Sequence, residues 1–266
     1  MRTFLLLISL SLATVTLAQD QLTVIYVKGK VIDAKTDQVV RRGSKLTTAD
    51  KLKYSSKNDM IAAISPTKGR IIIKPDQKKQ KKGSELLFVI KDIYLPMKGN
   101  AMTRSVGGKM GFANAAIIKA YFQQNAFLLL PNENRIAFDE EEFPLNEDSF
   151  FFIRYDYAFD DEPVNKKLPH EGKEVIIRKR DLLTVEDRNI HSNDASNFVL
   201  FYVRDGEAVG LTALNFYFPE RNELQSELKI IKESGVENPW AEASAYAQEA
   251  YGNYDVEALK AFFDKL

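Results

Sequence analysis

Between residues 150 and 159 the chain alternates. Phe151, Ile153, Tyr155, Tyr157 and Phe159 interleave with Arg154, Asp156 and Ala158. Side chains along a strand point alternately to opposite faces, so a period of two over this length specifies a strand with one buried face. A helix would scatter the same aromatics around its axis. This part of the chain is therefore committed to a sheet with a core on one side. Residues 127–130, closed by Pro131, and residues 175–177, 198–203 and 210–218 supply further β-rich runs, and Asp205-Gly206 has hairpin-turn chemistry. Residues 125–218 are read as an antiparallel β-sandwich with long polar connections.

The first part of the chain is also β-rich, in shorter pieces. Residues 22–32 read LTVIYVKGKVI, and residues 60–64, 69–74 and 86–93 are short β-prone runs with Pro66, Pro75 and Pro96 at or near their ends. Strands at this spacing predict a small barrel or sandwich over residues 19–96. A lysine-dense turn, residues 76–83, interrupts them. Lys78, Lys79, Lys81 and Lys82 are the candidate contacts for an anion or a partner, against the plainer reading of a solvated hairpin tip.

Certain residues in this part resemble a known family. Gly29-Lys30-Val31, Gly43-Ser44-Lys45-Leu46, Asp50-Lys51-Leu52, Ile61-Ala62-Ala63-Ile64 and Gly69-Arg70-Ile71-Ile72-Ile73 are similar in spacing to FecR-type periplasmic β-domains. The resemblance covers about residues 22–95. It implies an exported β-rich interaction module and brings no catalytic residues. A cleavable leader in place of an anchoring helix departs from a FecR-type regulator and argues against a signalling role.

That leader is residues 1–18. A basic start, Met1-Arg2, precedes the apolar run FLLLISLSLATVTLA at residues 4–18, which ends in Thr16-Leu17-Ala18. This is the pattern of a secretory signal peptide cleaved between Ala18 and Gln19. The run falls short of the roughly 20 residues of a spanning helix. No later stretch approaches 18 uninterrupted apolar residues, so no transmembrane segment is expected after cleavage. The chain has no cysteine, which excludes disulfides, thiolate metal sites, a cysteine nucleophile and a lipidated N-terminal cysteine. The expected location is the bacterial envelope, periplasmic or at the cell surface and beyond.

Charge divides the chain where the β-patterns do. Lys and Arg total 37, as do Asp and Glu, yet residues 19–100 hold 18 basic and 8 acidic side chains, and residues 101–266 hold 18 basic and 29 acidic ones. Such asymmetry bears on association rather than on fold. It points to a protein partner in the envelope, to self-association, or to an anionic envelope polymer on the basic part. Nucleic acid is disfavoured by the location and by the acidic second part.

The remaining segments change character. Residues 97–124 read as a flexible connector and a short helix, the helix over residues 112–123. Residues 219–266 carry helical spacing, with Gly235 and Gly252 as stops and Asn238-Pro239 as a start, and predict a short C-terminal helical hairpin. Trp240, Ala247, Tyr251, Gly252, Tyr254, Ala258 and Phe262 resemble fragments of one tetratricopeptide unit, with the Gly252-to-Ala258 spacing one residue too long. The fold class is therefore mainly β within α+β: a small N-terminal barrel or sandwich, a larger antiparallel sandwich and terminal helices.

Catalytic chemistry is hard to find in this sequence. The stretch of residues 104–111 lacks two of the mechanistic positions of a phosphate-binding loop. His170 and His191 lie in polar loops, without the Gly-x-Ser-x-Gly or His-Glu-x-x-His context of known sites. Asp156, Asp160, Asp161 and Glu162 are the candidate metal ligands, since calcium takes six to eight oxygens; the alternative is an acidic, solvated turn. No cofactor is expected. The sequence predicts a non-catalytic accessory or scaffold protein, with a carbohydrate- or calcium-dependent binder or an unfamiliar hydrolase as alternatives.

Overall fold

The computed structural model describes residues 21–75, 86–89, 94–96 and 111–266. Residues 1–20 (which include the expected signal peptide), the four candidate lysines and residues 97–110 of the expected connector lie outside the described residues. Strand accounts for 39% and helix for 24% of the described structure, which makes the chain mainly β. The described residues divide into two compact units, those up to residue 96 with 233–237, and those of 111–232 with 238–266. No helix among the described residues is long and apolar enough to cross a membrane.

The first unit contains β1 (Gln21–Lys28), β2 (Val31–Asp33), β3 (Lys45–Thr47), β4 (Lys51–Tyr54), β5 (Met60–Ser65), β6 (Gly69–Ile73), β7 (Leu86–Val89) and β8 (Tyr94–Pro96). They form two antiparallel sheets, ordered β3-β1-β5-β6-β8 and β2-β4-β7. Leu22, Val24, Ile61, Ala63, Ile71 and Ile73 from the first sheet share one buried cluster with Val31, Leu52 and Tyr54 from the second. Two sheets that bury one core between them make a small sandwich. No barrel closes among the described residues, because each sheet ends on strands without a further neighbour.

The second unit begins with α1 (Ala115–Gln124), β9 (Phe127–Leu128), β10 (Asn134–Ala137), β11 (Phe150–Tyr157), β12 (Val164–Lys167), β13 (His170–Glu171) and β14 (Glu174–Ile177). It continues through α2 (Lys179–Leu182), β15 (Thr184–Val185), β16 (Arg188–Asn189), β17 (Ala195–Arg204), β18 (Glu207–Ala213) and β19 (Phe216–Tyr217). It ends with α3 (Arg221–Lys232), α4 (Pro239–Tyr251), β20 (Asn253–Tyr254) and α5 (Val256–Asp264). The main sheet is β12-β11-β17-β18, all antiparallel, and a second is β10-β14-β13. Phe151, Ile153 and Tyr155 of β11 and Phe198, Leu200 and Tyr202 of β17 pack in one core with Ile136, Val175 and Ile177 of the second sheet.

The alternation in residues 150–159 thus becomes β11, with one correction. Phe159 is 76% exposed, although the pattern places it on the buried face. The strand ends at Tyr157 and the chain turns, so the period of two stops before it reaches Phe159. The opposite face is partly covered as well. Phe152 is buried, stacks on Phe201 at 4.8 Å, and lies under the Arg154 guanidinium.

The helix expected over residues 112–123 starts later, at Ala115. Asn114 is extended and its side chain accepts the Ile117 N–H, which makes it the N-cap. Phe112 stays extended and bridges Phe138 in parallel, while Ile118 and Phe122 enter the core.

The sandwich is not wholly antiparallel. β9 lies between β19 and β20 and pairs with both in parallel. The C-terminal helices pack on one another in sequence, α3 on α4 and α4 on α5. The Lys232 ammonium donates to the Phe263 and Asp264 carbonyls, capping α5.

Candidate functional site

β11 ends in the acidic turn singled out in the sequence. Asp156 is the single carboxylate of the strand, and its Oδ2 accepts from Asn197 Nδ2 of β17 at 2.7 Å. Asp160 Oδ1 accepts the Glu162 backbone N–H at 3.1 Å, which shapes the turn. Asp161 and Glu162 are exposed. Among the described residues no group of three or more His, Asp or Glu side chains is placed to hold a metal ion. Asp156 thus serves a cross-strand hydrogen bond, and Asp160 a turn.

The turn also carries an aromatic side chain that the alternation pattern concealed. Phe159 stands at its tip beside Tyr157, their rings edge to face with centroids 5.6 Å apart. A large aromatic exposed by three-quarters, flanked by Asp160, Asp161 and Glu162, gives an apolar centre with an anionic rim. The sequence signal for it was present in the turn residues Asp160-Asp161, which end a strand.

A second charged constellation joins β10 to its neighbours. Arg135 contacts Glu133 at 2.6 Å, Glu171 at 2.8 Å and Glu174 at 3.2 Å. Arg178 donates from Nε and Nη2 to Glu133 Oε2 at 3.0 and 2.8 Å. These hydrogen bonds, from Arg135 first and Arg178 second, hold the Glu133 carboxyl below the usual carboxylate range. Both guanidiniums are raised in turn, Arg135 chiefly by Glu171 and Arg178 chiefly by Glu133.

Asp255 lies at the other side of this cluster. Its Oδ2 accepts the Arg135 N–H at 2.6 Å and its Oδ1 accepts the Ala258 N–H at 3.0 Å, capping α5. Burial pushes its carboxyl up, and the Ala258 and Arg135 backbone N–H groups oppose that rise. Glu133, Arg135, Glu174, Asp255, Phe262 and Lys265 border a cleft of about 390 Å³. Both Asp255 oxygens are engaged by backbone, and Arg135 is shared among three carboxylates. The arrangement is a clamp holding α5 to β10. Sequence reading missed it, because its members are scattered over residues 133–265 with no local motif.

The clamp predicts a pH dependence. A depressed carboxyl contributes stability that is complete above its unfolded pKa, about 4.3, and is lost as pH falls through the folded value. Glu133→Gln should therefore melt below the wild type at neutral pH, and the difference should close as the pH falls below that value. Thermal unfolding of both proteins across the acid range checks this. A gap that persists at the acid end would mean Glu133 does not act through its charge.

Among the described residues neither histidine joins a nucleophile and an acid. His170 Nδ1 lies 3.2 Å from the Gly172 carbonyl, and His191 Nδ1 accepts the Asn193 N–H at the start of a 3-10 turn, Ser192–Asp194. His170 lies in β13 rather than in the expected loop and serves the turn to β14, and His191 serves its own loop. Comparison of the chain with family models, curated proteins and solved structures finds no match.

Proposed function

We propose that this is an exported, non-catalytic accessory protein of the bacterial envelope that works by binding a partner protein. The observation that carries the reading is Phe159, exposed by 76% at the tip of the Asp160-Asp161-Glu162 turn. Interface energy concentrates in a few aromatic anchors surrounded by a polar rim. The signal-peptide pattern, the FecR-type resemblance of the first part and the opposed charges of the two sequence parts support the same reading. An anionic rim selects a partner with a basic surface, and that attraction weakens with salt.

The test is purification of the tagged protein from its own envelope after crosslinking, at low and high salt, with the wild type and Phe159→Ala. One partner should be recovered in stoichiometric amount, should be lost at high salt, and should be lost with the variant. Because Phe159 lies outside the core, the variant should melt with the wild type. Recovery of the protein alone under every condition would overturn the proposal, as would a partner indifferent to Phe159→Ala.

A further inference from the structure

A second opening in the same unit has a different chemistry. A cleft of about 390 Å³ lies between the start of β17 and the segment entering β19. That volume is within the range of small-ligand sites, about 300–1,000 Å³. Ser196, Asn197, Asn215, Phe216, Tyr217 and Phe218 form much of its wall, and none of its eleven lining residues is charged. This is unusual on a part of the chain that holds 18 basic and 29 acidic side chains.

The backbone is distorted where the cleft forms. β11 and β17 pair Arg154 with Val199 and Asp156 with Ser196, so two residues of β17 oppose one of β11. The extra residue creates a bulge, and bulges re-aim side chains. Asn197 takes φ 55°, in the left-handed region, which asparagine tolerates better than most residues. Its amide is fixed by the 2.7 Å hydrogen bond to Asp156. Beneath it, Phe198, Phe216 and Phe218 pack with centroids 5.3 to 5.9 Å apart. Tyr217 is stacked on Tyr251 at 4.8 Å and remains 40% exposed.

These features select a ligand class. A charged ligand would find no charged side chain in the lining, and the two charges beside it, Asp156 on Asn197 and Lys179 over Phe218, are of opposite sign. A purely apolar ligand would desolvate the asparagine amides and serine hydroxyls without giving them partners. A sugar ring offers hydroxyls along its edge and C–H groups on its face, which fit amides and aromatic rings together. We propose that this cleft binds a neutral saccharide, with Asn197 and Asn215 as hydrogen-bonding residues and Tyr217 as an aromatic wall. The site excludes Phe159, so it stands or falls separately from partner binding.

The experiment is an NMR titration of the purified protein with maltohexaose, cellohexaose and chitohexaose. At least one should give saturable shifts at Ser196, Asn197 and Asn215. Asn215→Ala should weaken that binding about tenfold, the loss expected of a hydrogen bond. The Asn215 side chain makes no hydrogen bond to a described residue, so the melting temperature should hold. Tyr217→Phe should retain binding, Tyr217→Ala should lose it, and Phe159→Ala should not change it. Absence of saturable shifts with all three sugars up to about 10 mM would overturn the proposal. So would binding that Asn215→Ala and Tyr217→Ala leave intact.

Discussion

Gly252→Ala should unseat the C-terminal part of the second unit. Gly252 ends α4 with φ 93° and ψ −146°, a region left almost wholly to glycine. A Cβ there would stand 2.2 Å from the Ala126 carbonyl oxygen, which is backbone and has little room to yield. That same oxygen accepts the Asn253 N–H at 2.7 Å and starts the pairing of β20 with β9. The backbone strain and the clash are worth about 1–3 kcal/mol each. The expected loss is on the order of 3 kcal/mol or more, with the β20 pairing opening first. Loss of hydrogen-exchange protection at Asn253, together with a lower melting temperature, would be the readout, while Leu129, whose N–H is bonded to Tyr217 of β19, should lose protection later. Full protection with an unchanged melting temperature would show that the chain can leave this turn another way.

The second large effect lies in the aromatic core. Phe151 is 1% exposed, and its ring stacks on Phe138 with centroids 4.0 Å apart. Tyr202 and Phe143 enclose it at 4.8 and 5.6 Å. Phe151→Ala removes the buried ring and leaves a cavity, a change that costs about 3–5 kcal/mol. For a unit of this size the melting temperature should fall by roughly 10 °C. Phe151→Leu keeps most of the volume and should lose less than half as much. Urea unfolding of the three proteins separates the cases. Equal losses would mean ring stacking, rather than filled volume, is what Phe151 contributes.

Some of this architecture could be read from residues alone. The period of two around Phe151, Ile153 and Tyr155 gave β11 and its core face, because each of those side chains follows a local rule. Asp205-Gly206 gave the β17–β18 hairpin for the same reason: both residues take positive φ, as a tight turn between twisted strands requires. Asn238 and Gly252 marked the ends of α4 through cap chemistry. What escaped was non-local. β9, β19 and β20 have two residues each, too short for any period, and they meet only because three distant segments are brought together. The Arg135 clamp was hidden likewise, since a salt-bridge network carries no spacing rule. Phe159 was misplaced because the period of two carries no end mark of its own, and the stop that Asp160-Asp161 supplied was not weighed against it. The acidic residues around it were legible, but not the separate duties of Asp156 and Asp160.

The parallel ribbon β19-β9-β20 has a consequence in time. Its middle strand is made by residues 127–128, and its neighbours by residues 216–217 and 253–254. Loops must close before such pairings are rewarded, and topologies built on distant contacts fold slowly. A chain emerging from its N-terminus presents β9 long before β20 exists. The second unit cannot complete that ribbon until nearly the whole sequence shown here has emerged, so for most of its synthesis it remains an unfinished chain. That delay suits any route that must thread the polypeptide before it folds, and it exposes β9 to mispairing throughout the wait.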